Sequence, residues 1–111
     1  MNNLKLRAQL AAERYLKLTG RHIIYADFLD KYIVMEDEDG LAIVDVFFTD
    51  EDMSTKFPTM KRDVFEDVIR KFYLQEHEPI DVPVRHDTIE LFICGDNRAI
   101  VRHHVNAELE D

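Results

Sequence analysis

The chain predicts a single α/β domain, a mixed sheet flanked by helices in the order α-β-β-β-α-β-β, on three observations. Two segments repeat apolar residues at helical spacing, five others alternate or cluster them as strands do, and turn residues separate the segments. At 111 residues the whole chain, 1–111, makes one domain with room for one sheet and two or three helices.

The first helix rests on Leu4, Ala8, Ala11, Tyr15 and Leu18, which recur at three-to-four spacing until Gly20 caps the end. HIIYADF at 22–28 and the apolar run at 32–35 read as strands. The acidic connection EDEDG at 36–40 then leads into LAIVDVFF at 41–48, completing an antiparallel meander. TDEDMSTKF at 49–57 is a polar connection, and a second helix is predicted to start near Pro58 and Thr59. Its apolar stripe is Val64, Phe65, Val68, Ile69, Phe72 and Tyr73. Pro79 and Pro83 break a loop at 76–83. TIELFIC, a turn at Gly95-Asp96-Asn97 and RAIVRHHV then supply the last two strands.

Hydrophobic residues at 46% suffice for a core, and charged residues at 33% give a well-solvated surface. No apolar run approaches the roughly 18 to 20 residues that cross a membrane, so no membrane partner is expected. The first residues also lack the continuous apolar region of a signal peptide. One cysteine, Cys94, allows neither an intramolecular disulfide nor a zinc cluster, and a cytoplasmic location is expected. Fourteen basic residues stand against 23 acidic ones, a net charge of -9, which disfavours a nucleic-acid duplex and favours a protein partner; a homodimer built on the exposed side of the sheet is a further possibility.

LAIVDVFFTD poses the chemical question. Ala42, Val44, Val46 and Phe48 share one face of this strand and belong to a core. Leu41, Ile43, Asp45 and Phe47 share the other, and a buried carboxylate there needs a partner. Elsewhere the signals are structural. The run at 36–40 lacks the alternating ligands of a calcium loop, and adjacent strand residues His103 and His104 point to opposite faces. Cys94 reads as an inert thiol, and Tyr15 as helix packing.

Several strings together resemble the YraN-like family of small bacterial proteins. AAERYLKLTGRHII, with Ala12, Tyr15, Leu16, Gly20 and Ile23, is similar to that family's first helix end and following strand. RHDTIELFI and VRHHVNAEL resemble its Arg-Phe-Asp-Val-Val strand and closing His-x-x-Asn-Ala-Phe through Arg85, Asp87, His103, Asn106 and Ala107. PTMKRDVFEDVIRKFY is similar to its second helix start, with Lys61 retained.

The resemblance implies a restriction-endonuclease-like fold and a PD-(D/E)XK site, in which two acids hold magnesium and a lysine orients water. Carried over, Asp45 takes the second acid's place, Phe47 the lysine's and Tyr32 the first acid's, while Gln9 replaces the glutamate of the first helix. Asp45 is thus the one metal candidate, and Lys61 and Arg62 are the candidate nucleic-acid contacts within a basic set that adds Lys56, Arg70 and Lys71. The expectation is a catalytically degenerate module that binds nucleic acid or protein without a cofactor. Its alternative is an active, Mg2+-dependent, structure-selective DNA endonuclease, with Lys31 or Asp30 relocated into the site.

Overall fold

A computed structural model describes residues 4–49, 59–76, 81–94 and 98–111. In chain order the elements are α1 (Leu4–Leu18), β1 (His22–Phe28), β2 (Tyr32–Asp37), β3 (Gly40–Thr49), β4 (Met60–Lys61), α2 (Arg62–Glu76), β5 (Val84–Cys94), β6 (Arg98–His104) and β7 (Leu109–Glu110). Five strands form one mixed sheet in the order β1-β2-β3-β5-β6, and β4 pairs with β7 in a small parallel ribbon. The meander β1-β2-β3 is antiparallel, β3 and β5 run parallel, and β6 returns antiparallel to β5.

The α/β class and the meander agree with the sequence reading, and α1 and β1 carry the predicted bounds. Two features differ. β5 starts at Val84, because the parallel partner β3 engages residues 84–87, which lie between the predicted loop and the predicted strand. α2 starts at Arg62, because Met60 and Lys61 pair with Leu109 and Glu110 ahead of it. Thr59 is therefore outside the helix, and Pro58 lies outside the described residues, as do Lys56, Pro79 and the predicted turn at 95–97.

The sheet is covered on both faces. Ala8, Ala12 and Leu16 occupy one row of α1 and bury against Ile33, Met35, Ala42, Val44, Ile89 and Leu91. Two alanines in that row let the helix backbone approach the sheet closely. The helix ends in a Schellman pattern: Arg21 N–H donates to Leu16 O at 2.9 Å and Gly20 N–H to Lys17 O at 3.1 Å, with Gly20 at φ 83°. On the opposite face, Phe65, Val68 and Phe72 of α2 pack on Phe28, Tyr32, Val34, Leu41 and Ile43. Both faces of β3 are thus core faces. Asp45 sits in the second. No helix among the described residues is long and apolar enough to cross a membrane.

The β1–β2 connection carries backbone strain. Leu29 and Asp30 take φ values of 56° and 57°, and Lys31 N–H donates to Phe28 O at 3.2 Å, as in a primed hairpin turn. Asparagine, aspartate or glycine normally fill such positions, whereas leucine resists the left-handed region by roughly 1–2 kcal/mol. Leu29 is 45% exposed, so little packing offsets this. Leu29→Gly is therefore expected to raise stability by about 1 kcal/mol, read from the urea midpoint. A lowered midpoint would show that Leu29 packing outweighs its strain.

Candidate functional site

Asp45 has a partner that sequence spacing did not reveal. β3 and β5 pair with Ile43 opposite His86 and Asp45 opposite Thr88, so Asp45 and His86 are diagonal neighbours on the α2 face. His86 Nε2–H donates to Asp45 Oδ2 at 2.9 Å, and both residues are buried. Phe65 of α2 packs against the imidazole, with ring centroids 6.2 Å apart. The other ring nitrogen, Nδ1, is buried and has no hydrogen-bond partner among the described residues.

A hollow of about 240 Å³ opens beside this pair. Tyr32, Asp45 and Phe47 line it, as the family resemblance implied they would share a site, together with Lys31, Lys61 and Thr59. The Lys31 ammonium also stands 5.4 Å from the Tyr32 ring centroid. Gln9 does not join them. It lies on the α1 face of the sheet, where its Nε2 donates to Ala26 O at 2.5 Å and to Glu13 Oε2 at 3.4 Å. The Ala26 bond occupies a carbonyl on edge strand β1, which makes Gln9 an edge-capping residue.

Magnesium needs several hard oxygen donors in near-octahedral array. The residues at the implied site do not fit it: Asp45 is already engaged by His86, and Tyr32 and Phe47 supply no carboxylate. The hollow instead offers one carboxylate, two ammonium groups and the hydroxyls of Tyr32 and Thr59, a set suited to holding a polar or charged group of a partner.

The candidate nucleic-acid contacts diverge. Lys61 lines the hollow, whereas Arg62 Nε donates to Asp111 Oδ1 at 2.7 Å. Within the same basic set, Arg70 and Lys71 pair with Asp67 at 3.5 and 2.9 Å. The positive charge of α2 is largely matched where it stands.

A second polar assembly occupies the α1 face. Arg85 donates from Nε to Asp87 Oδ1 at 2.8 Å and from Nη2 to Asp37 Oδ2 at 2.8 Å. His103 Nε2–H donates to Asp87 Oδ2 at 2.8 Å, and the Tyr15 hydroxyl lies 2.9 Å from His103 Nδ1. Asn106 N–H completes the set by donating to Asp87 Oδ1 at 2.9 Å. Burial disfavours the Asp87 charge, but the bonds from His103, Arg85 and the Asn106 backbone outweigh it and pull its pKa down to about 2. Asp37 is also held below its ordinary value, chiefly by its Arg85 bond. The Arg85 guanidinium is raised by Asp37 and then Asp87.

His103 and His104 do point apart: His103 turns to Asp87, and His104 Nε2 sits 3.0 Å from Glu90 Oε1 on the other face. Tyr15 packs edge-on against His103, as a helix-packing residue would. Asp37 of the acidic run at 36–40 ends β2 and anchors the turn after it, accepting Asp39 N–H at 2.9 Å while it binds Arg85. No protein-family model, curated protein or solved structure matches the chain.

Proposed function

We propose that this protein is a non-cleaving binding module on a restriction-endonuclease-like fold, related to the YraN-like family and degenerate at the ancestral metal site. The observation that carries the reading is the commitment of Asp45 to buried His86, beside Phe47 in the lysine position. Supporting the ancestry, Arg85, Asp87, His103 and Asn106, which bear the family resemblance, meet in one hydrogen-bonded network. A protein partner is favoured over nucleic acid, because Arg62, Arg70 and Lys71 face carboxylates of the chain itself and the net charge is -9. No cofactor enters this reading.

One observation favours a second reading. Lys31 and Lys61 line the hollow with Asp45, so a lysine is present near the acid although Phe47 holds the family position. An active endonuclease would cut branched DNA in magnesium or manganese and lose that activity in Asp45→Asn. The expected result is no cleavage by either protein in either metal. Metal-dependent cleavage that Asp45→Asn abolishes would overturn the binding-module proposal. A salt titration separates partners: DNA binding that weakens steeply with salt supports nucleic acid, and its absence at low salt supports protein.

A further inference from the structure

The outward side of α1 is unusual for an exposed helix. Ala8, Ala12 and Leu16 are buried, while Leu6, Leu10 and Leu18 are 58%, 55% and 76% exposed. On a helix of 3.6 residues per turn, Leu6, Leu10, Arg14, Lys17 and Leu18 fall within the arc opposite the buried row. α1 carries four basic side chains and one acidic one, within a chain of net charge -9. Among the described residues, Lys5, Arg14 and Lys17 form no ion pair. Cationic charge and apolar surface are therefore concentrated on one helix, on the sheet face opposite the Asp45–His86 pair.

The surface is also concave at one end. A hollow of about 900 Å³ lies between α1 and the β1–β2 turn, with Ala8, Val46 and Phe48 beneath Leu6 and Leu29. Leu29 is the residue held at φ 56°. Strain at an exposed apolar side chain is the pattern expected where a contact surface is maintained at some loss of stability.

We infer that the outward face of α1, with this hollow at its end, docks an acidic amphipathic segment of a partner protein. Apolar side chains of the segment seat on Leu10 and Leu18, one enters the hollow between Leu6 and Leu29, and its carboxylates meet Arg14 and Lys17. Asp27 and Asp30 stand at the turn, which places the partner's carboxylates along the helix and its apolar residue over the hollow. A second copy docked α1 against α1 would oppose like charges. An anionic bilayer is a flat, wide surface that repels the strongly acidic remainder of the chain and leaves the hollow unfilled.

The test is selection of displayed random peptides of about 15 residues, four helical turns, against the full chain. The expected peptides place apolar residues at helical spacing between aspartates or glutamates. Leu10→Ser with Leu18→Ser, and separately Arg14→Glu with Lys17→Glu, are each expected to weaken a selected peptide about tenfold or more. Both variants alter exposed positions, and circular dichroism checks their fold. No enrichment, enrichment of basic peptides, or equal binding to wild type and variants overturns the inference. So does sedimentation of the chain with phosphatidylserine vesicles that the leucine variant abolishes, or a wild-type dimer that this variant dissociates.

Discussion

Asp87→Ala is expected to destabilise the protein by about 3 kcal/mol. Asp87 is fully buried and accepts from Arg85, His103 and the Asn106 backbone at once. Truncation leaves the His103 Nε2–H and Asn106 N–H without their acceptor, and Arg85 retains only Asp37. Each orphaned donor carries a desolvation penalty, about 1–3 kcal/mol when fully buried. Asp87→Asn keeps one acceptor and should lose less. Urea unfolding at neutral pH measures both.

The same carboxylate sets an acid limb of stability. Its pKa falls from 3.8 to about 2 in the folded protein, so the folded state favours the ionised form. That contribution, roughly 2 kcal/mol, is complete above pH 3.8 and disappears as pH falls through 2. Asp37, also depressed, acts in the same direction. Wild type should therefore lose stability between about pH 4 and 2, and Asp87→Asn should flatten that limb. Parallel pH profiles would assign the acid sensitivity elsewhere.

Gly40→Ala is expected to cost about 2–4 kcal/mol, through backbone strain and overlap together. Gly40 has φ 131°, and a β-carbon there would press into the Pro83 carbonyl oxygen, which also accepts Leu41 N–H at 2.9 Å. Neither backbone can yield without disturbing the start of the β3–β5 pairing, where Leu41 stands opposite Val84. Gly20→Ala is the control, because Gly20 has φ 83° but nothing within 4 Å of an added β-carbon. It should lose only about 1 kcal/mol from strain. Thermal melts of the two variants separate strain from overlap, and equal shifts would refute the assignment at Gly40.

Much of the fold was legible in local pattern. The spacing of Leu4, Ala8, Ala11, Tyr15 and Leu18 locates α1, although the buried row is Ala8, Ala12 and Leu16 and Leu18 is exposed, and turn signals bound β1. The short ribbon of β4 and β7 was not, because two residues carry no periodicity and their pairing spans 49 positions, from Met60 to Leu109. Three members of the candidate site, Tyr32, Asp45 and Phe47, do share a hollow. Gln9 was misplaced because neither helical spacing nor a motif says which sheet face α1 covers. His86 was missed altogether. The isolated sequence gives no register between β3 and β5, and only the pairing of Ile43 with His86 brings imidazole and Asp45 together. The available hint was His86 between Arg85 and Asp87, three consecutive polar residues near the start of the strand.

That triplet has a further consequence for how the chain finds its fold. Arg85 and Asp87 project to one side of β5 and His86 to the other, and the native alignment brings Arg85 to Asp37 and His86 to Asp45. Sliding β5 by one residue along β3 would drive the guanidinium and carboxylate beneath Phe65 and the imidazole toward Leu16 and Met35. Hydrophobic residues at those three positions would tolerate either alignment. The charges act as a key cut for a single register, excluding the misaligned parallel pair that a chain rich in valine and isoleucine would otherwise sample while it folds.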